Sequence, residues 1–414
     1  MIRSIIIKIL AKLFLFLGCF LRHSKAAYDF SKIRKILINK CDRFGDAVVT
    51  LPLLFELQKY YDITVLTSER NDEFLKRFVR TRKFIDDPRS FLDVLMMLFK
   101  NFGIFGRKKG KVVPEYDLYL DLNGIKELDV FRRVWGENLC LRHVSFNMGP
   151  WNLLLDYSHP DYSVLFSHKH ILESYRELIR AALGRDIPIR DYYDLRNYAV
   201  IPAELPKGDF IIINIAGYEK FRGPSLAFFA ELIKQCSSHI TCFILDELGR
   251  PHLAALKEKL CHVLNVYLPE RDFSVWELLG LVSRAKFYIG ADLGVSHLMQ
   301  SQTNAILFFG DQRAIVWRPY SQAQYEKRVL SGGFVIEQMI NSEGLLKVVI
   351  YSQGNCRQCF DIGCLHPKCV NDFDRLSDAV KHEISALLER WDFSKTNNAF
   401  QAVQARLGAD QAGC

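Results

Sequence analysis

The sequence predicts an α/β protein made of two successive doubly wound halves, and three observations carry that reading. Short apolar runs of strand length alternate with longer helical runs through most of the chain. At 414 residues the chain is too long for one ordinary core, so two domains are expected. The alternation breaks once near the middle, over 187–208, where Pro, Tyr and charged residues gather without periodicity, and then restarts. We divide the chain into a basic arm (1–30), a first domain (31–190), a linker (191–208), a second domain (209–390) and a polar tail (391–414).

In the first half, Ile36–Asn39 reads as a strand and Asp46–Tyr60 as a helix whose first turns Pro52 delays or bends. Ile63–Thr67 is the next strand, which completes a βαβ unit and a right-handed parallel crossover. An apolar helix and a basic loop, Arg107–Lys111, fall between Ser90 and Gly110; the loop reads as a solvated turn. Tyr116–Leu122 is a further strand, and His168–Leu183 a helix closed by Gly184. The second half opens with the strand Phe210–Ile215 and a glycine turn at Ala216–Gly217. Ser225–Cys236 is a helix with Ser225 as N-cap, Thr241–Leu245 a strand, and Phe273–Ala285 a helix with Ser274 near its start. Lys286–Ile289 is a short strand, followed by a loop at Gly290–Gly294, a helix from Val295, the buried strand Ala305–Phe309 and an amphipathic helix over Leu376–Trp391. Two α/β halves in succession imply a ligand cleft between them.

The formal net charge is +8, and all of it resides in the first forty residues. The first forty residues hold nine Lys or Arg against one acid, Asp29, while the rest of the chain balances at 46 of each sign. A balanced body argues against a nucleic-acid partner. Ile5–Leu21 is apolar apart from Lys8, Lys12 and Gly18, and the two lysines share one helical face. An amphipathic helix lying on an anionic membrane surface suits this pattern best; a secretory signal and a short span are the other readings. Seven of the eleven cysteines are scattered, which suits a reducing compartment. The others, Cys356, Cys359, Cys364 and Cys369, are spaced irregularly for a zinc set, so packed thiols and a structural zinc both stay open.

Neither half holds Gly-x-Gly-x-x-Gly or a P-loop. Three turns that follow strands carry the chemistry instead. The first, Lys40–Pro52, sets Asp42, Arg43, Gly45 and Asp46 between a strand and a helix, where a carboxylate can act as a base or the helix start can bind an anion. The second, Ile289–Leu298, contains Asp292, Leu293, Gly294 and His297; Gly290 and Gly294 allow close backbone approach, and the alternatives are that Asp292 caps the helix and His297 lies on the surface. The third, Asn214–Pro224, places Lys220 and Arg222 where two cations can hold a diphosphate, or simply form a flexible cationic loop. Asp246, which follows a strand, either contacts a ribose or sugar hydroxyl or caps the next turn.

These segments resemble glycosyltransferase family 9, the lipopolysaccharide heptosyltransferases. Ile36–Leu54 is similar to the family's opening, Gly290–Leu298 to its second hallmark, Asn214–Pro224 to its lysine loop and Cys356–Cys369 to its cysteine-rich stretch; Ala305–Gly310 and Trp317–Pro319 follow the second hallmark in the family's order. The resemblance implies the GT-B fold, with two Rossmann-like domains facing across a cleft. It implies inverting, metal-independent transfer of heptose, typically from ADP-heptose, to the inner core on lipid A–Kdo. Cofactors are not implied. Asp46 takes the place of the catalytic base; Lys220, Arg222, Asp246, Asp292, Leu293, Gly294 and His297 fall on the donor side, and Asp42, Arg43 and Gly45 on the acceptor side. The implied location is the cytoplasmic face of the inner membrane. The sequence departs from the family at Leu293, where Thr is usual, and at Phe221–Pro224, where the family has Trp-Pro. These departures put the donor's identity in doubt and keep a second reading open, a GT-B-like binding or scaffold protein with a degenerate site.

Overall fold

The computed structural model describes residues 29–40, 43–84, 115–122, 143–146, 157–159, 169–217, 223–310, 314–330, 333–352 and 377–390. The arm up to residue 28, the Ser90–Gly110 helix and basic loop, and the tail beyond Arg390 lie outside these residues. The chain forms two compact units, Met1–Arg190 and Asp191–Cys414.

The first unit is built on β1 (Lys35–Asn39), β2 (Asp62–Ser68), β3 (Arg80–Phe84), β4 (Leu118–Asp121), β5 (His143–Phe146) and β6 (Tyr157–His159). All adjacent pairs are parallel, in the order β3-β2-β1-β4-β5-β6. That is the doubly wound Rossmann order, which reverses direction between β1 and β4. The central strands are apolar on both faces, as a sheet covered by helices requires. Helix α1 (Phe44–Leu57) is buried along almost its whole length and packs on α2 (Glu69–Leu75) and α3 (Ile171–Leu183). It begins two residues before the expected start and runs through Pro52, which supplies no N–H to the ladder there. Phe44 meets Phe74 edge to face at 5.0 Å, which fixes the first turn of α1 against α2. Helix α3 starts later than expected because the His170 imidazole caps it, accepting from Leu172 N–H at 3.1 Å. Gly184, at φ 63°, ends it in a left-handed cap.

The second unit repeats the order. Its strands are β7 (Phe210–Asn214), β8 (Thr241–Leu245), β9 (Val266–Tyr267), β10 (Phe287–Ala291), β11 (Asn304–Phe309), β12 (Glu326–Val329), β13 (Phe334–Ile340) and β14 (Leu346–Ser352). The parallel part runs β9-β8-β7-β10-β11-β14, and β13 and β12 extend it antiparallel. Its helices are α4 (Leu226–Ser237), α5 (Leu253–Lys259), α6 (Val275–Val282), α7 (Gly294–Gln300), α8 (Ala314–Trp317) and α9 (Ser377–Arg390). Ser225 caps α4 and Ser274 caps α6, the latter in a reciprocal capping box with Glu277. The core stacks Ile213, Phe228, Phe229, Ile289, Phe308, Val348 and Ile350, with Val380, Ile384 and Leu388 of α9 laid on it at helical spacing.

Residues 191–208, the expected linker, are fastened to this second unit. Leu195 N–H donates to the Gln302 carboxamide at 3.0 Å, and Val200 N–H to Trp276 C=O at 2.9 Å. A methyl group on Gly280 of α6 would stand 2.0 Å from Val200 O, so this segment lies directly on the helix. Its Pro-rich, aperiodic sequence gave no sign of this packing, because periodicity reports helices and strands and not an irregular chain held by single bonds.

Candidate active site

In open α/β sheets ligands bind outside the carboxyl ends of the strands, at the point where the strand order reverses. Among the described residues, Arg43, Gly45 and Asp46 follow the first strand of the first unit, and Asp292, Leu293, Gly294 and His297 follow β10 at the reversal of the second.

In the first unit, β1 ends on Asn39 and β4 on Asp121, side by side in the parallel register and both fully buried. The Asn39 carboxamide donates to an Asp121 carboxylate oxygen at 3.1 Å, so a hydrogen bond spans the reversal point. The chain then leaves through Lys40 for α1. Arg43 is the N-cap of α1 in extended conformation, exposed and without a side-chain cap bond. Gly45 is buried in the first turn. Asp46 is the third residue of the helix and half-buried, and its carbonyl accepts from the Thr50 hydroxyl at 2.7 Å. A carboxylate in a first turn is favoured by the helix dipole, and at the sheet's carboxyl edge it can accept a proton from an approaching hydroxyl. Asp42 lies outside the described residues.

In the second unit, β7 ends on Asn214 and β10 carries Gly290 and Ala291 beside it. The Asn214 carboxamide donates to the Tyr288 hydroxyl at 2.9 Å and accepts from Ala216 N–H at 3.1 Å. Tyr288 OH in turn bonds Ser296 Oγ at 2.7 Å, and Ser296 donates to Ala291 C=O at 2.5 Å. This buried chain joins β7, β10 and α7, and burial pushes the Tyr288 phenol up to about 12, so it stays a neutral hydroxyl. A methyl group on Gly290 would lie 2.6 Å from that hydroxyl. Gly290 therefore makes room for Tyr288, two residues earlier on the same face, and the expected close backbone approach at this glycine is to a side chain of the protein itself.

Asp292 and His297 meet across the turn, with Oδ1 and Nε2 3.2 Å apart and the two side chains almost buried. The two alternatives left open by the sequence are not what is seen. The N-cap of α7 is Leu293, with no side-chain cap bond, and His297 is 7% exposed. The imidazole ring also stands 6.4 Å from that of Trp317, at the end of α8. Leu293 points its Cδ2 at Gly217: a Cβ there would come within 3.1 Å. Gly217 sits at φ 88°, and Gly223 packs against Ala291, where a Cβ would lie 2.6 Å from the alanine methyl. Both ends of the Asn214–Pro224 turn thus rest on the Ala291–Leu293 segment. Lys220 and Arg222, within that turn, lie outside the described residues.

Asp246 resolves between its two uses. Its side chain is fully buried, and its oxygens accept from Glu247, His252 and Leu253 N–H groups at 2.7, 2.7 and 3.2 Å. It is a turn cap, accepting three backbone N–H bonds. Cys356, Cys359, Cys364 and Cys369 lie outside the described residues. Among the described residues, no three His, Cys, Asp or Glu side chains converge where a metal could sit. Sequence reasoning missed Asn39, Asp121, Asn214, Tyr288 and Ser296. The signal was present: both first strands end in Ile-Asn, and a carboxamide closing an apolar strand needs a partner.

Among solved structures, E. coli heptosyltransferase WaaC with ADP is similar over 70% of this chain and 91% of its own, at 18% identity and a TM-score of 0.54. E. coli ADP-heptose LPS heptosyltransferase II is similar over 86% and 100%, at 15% identity and 0.54. A family 9 glycosyltransferase from Veillonella parvula DSM 2008 is similar over 72% and 86%, at 15% identity and 0.51. The fold is shared with heptosyltransferases. The expected class, α/β with Rossmann-like domains of the GT-B kind, is borne out. No protein-family model and no curated protein matches the chain. Among the described residues no helix is long and apolar enough to cross a membrane.

Proposed function

We propose that the protein is an inverting, metal-independent glycosyltransferase that moves heptose, or a related sugar, from ADP-heptose or another nucleotide sugar to the lipopolysaccharide inner core. The observation that supports this best is the position of Asp46 after β1 and of the paired Asp292 and His297 after β10, at the two strand-order reversals of a fold shared with heptosyltransferases. Asp46 takes the proton of the acceptor hydroxyl as the oxygen attacks the anomeric carbon, and the bond to the departing diphosphate breaks. Lys220 and Arg222, with the backbone around Gly294, meet the negative charge that develops on the diphosphate. His297, oriented by Asp292, serves the donor side. Arg43 and Asp42 shape the acceptor side around Gly45, and the acceptor is a lipid A–Kdo core. The basic arm holds the enzyme on the cytoplasmic face of the inner membrane, and no nucleic acid takes part. Asp246 contributes through the turn that it caps.

A donor panel with a Kdo–lipid A acceptor, run on the wild type and Asp46→Asn, tests this. We expect ADP binding to be kept and turnover to fall about 100-fold or more, the scale of a lost general base; unchanged turnover removes Asp46 from the mechanism. The second reading, a scaffold with a degenerate site, is favoured by Leu293, whose hydrocarbon side chain occupies the turn against Gly217. Calorimetry showing no ADP binding at millimolar concentration would select it.

A further inference from the structure

Lys40 is 1% exposed, although lysine is rarely buried to that degree without a partner. It stands at the carboxyl end of β1, six positions before Asp46. Its ammonium donates to the Tyr175 hydroxyl of α3 at 2.9 Å and lies 5.2 Å from the centre of that ring. Its backbone N–H donates to Leu66 C=O at 2.9 Å, which carries the ladder to β2 one residue past the strand. Asn39, just before it, is tied the other way, to Asp121 on β4. The end of β1 is therefore fastened on three sides: to β2, to β4 and to α3. Helix α1, which holds Asp46, packs on that same α3.

We infer that Lys40 is a positioning residue for the Asp46 carboxylate, acting through Tyr175. The inference rests on the reading of Asp46 as the base. Burying an ammonium costs free energy that a methionine of similar length would not incur, so packing alone does not explain a lysine here. A base in the first turn of a helix can be held no more firmly than the strand end that launches the helix. Lys40 fixes that end to the helix against which α1 packs. Misplacing a catalytic group by about 1 Å costs on the order of 100-fold in rate, so a brace at this point affects turnover more than binding.

The test uses the full-length protein and the variants Lys40→Met, Lys40→Arg and Tyr175→Phe. Kinetics use ADP-heptose with Kdo–lipid A, and hydrogen exchange is followed over residues 43–50. We expect Lys40→Met to lower kcat about 10-fold or more, while the donor KM and ADP affinity stay within twofold. Lys40→Arg should recover most of the loss, and Tyr175→Phe, which keeps the ring and removes the hydroxyl, should fall between. Exchange over 43–50 should accelerate in Lys40→Met and stay unchanged in the second unit. Unchanged exchange over 43–50 with kcat within twofold of wild type overturns the inference, as does a kcat loss matched by an equal loss of ADP affinity. If Lys40→Met does not fold, Tyr175→Phe carries the same two readouts. Should wild type turn over no sugar, the functional reading fails, and the exchange measurement still decides whether Lys40 braces the turn.

Discussion

The two units solve one problem with the same residue and different partners. In each, the first strand ends on a buried asparagine whose carboxamide reaches across the point where strand order reverses. In the first unit Asn39 meets the carboxylate of Asp121. In the second, Asn214 meets the hydroxyl of Tyr288, which continues to Ser296 and the Ala291 carbonyl. One contact is made to a carboxylate. The other is the first link of a neutral chain that reaches into α7. The difference suits the tasks proposed for the two edges. On the proposed reading the first edge carries the base, whereas the second receives a nucleotide sugar and gains from a strand, turn and helix locked together.

The largest expected effect separates the two edges outright. Asp46→Asn should cut turnover about 100-fold or more and leave ADP affinity unchanged, because the proposed base belongs to the first unit and the proposed donor contacts to the second. Rates and calorimetry on one preparation check both halves. A variant that loses both together would show that the edges do not divide acceptor from donor chemistry.

Next come the asparagines themselves. Asn39→Ala takes a hydrogen bond from a buried carboxylate and should cost about 2–3 kcal/mol. Asn214→Ala takes one from a hydroxyl that keeps Ser296 and one from the Ala216 N–H, and should cost about 1–2 kcal/mol. Denaturant titrations read by hydrogen exchange in each unit would rank them. Equal costs would mean that the charge on Asp121 does not distinguish the two bridges.

What the sequence made legible follows the same division. Strand and helix identity came through because the β1, β7, β10 and β11 runs are apolar and short, and α3 carries a glycine stop. The start of α1 was misjudged because Arg43 is an N-cap without a side-chain bond, which leaves no capping signal to read. In the site, Asp46, Asp292 and His297 stood out as polar residues in turns that follow strands. The carboxamide bridges did not, since their meaning depends on which strands lie adjacent, and strand order is not written locally. Asp246 could be read both ways for the same reason: a carboxylate after a strand looks alike whether it faces a ribose or three backbone N–H groups.

A smaller effect is expected where Leu293 meets Gly217. Gly217→Ala places a methyl at φ 88° and 3.1 Å from Leu293 Cδ2, and should cost about 1–2 kcal/mol from backbone strain and crowding together. Adding Leu293→Ala should return only the crowding part. A double-mutant cycle measured by thermal unfolding isolates it. Zero coupling would mean that the leucine is not what holds this turn.

Each unit also buries a lysine. Lys40 of the first unit donates to a hydroxyl, while Lys347 of the second donates to the carbonyls of Gln300 and Thr303 at the far end of α7. Burial pulls the Lys347 ammonium down to about 7 from an ordinary value of 10.5, with Asp191 opposing weakly. Between those two values the unfolded chain binds a proton that the folded chain does not, so stability rises with pH through that window. Below about 7 the folded protein must carry the buried charge, and the gain is absent. From pH 7 to 8 the gain should be about 1 kcal/mol for the second unit. Lys347→Met, which carries no titrating group, should lose that slope while keeping a comparable packed volume. Unfolding free energies at pH 7, 8 and 9 for wild type and variant decide it: parallel profiles would mean that Lys347 stays charged in its carbonyl cage, where hydrogen bonds to the ammonium outweigh burial.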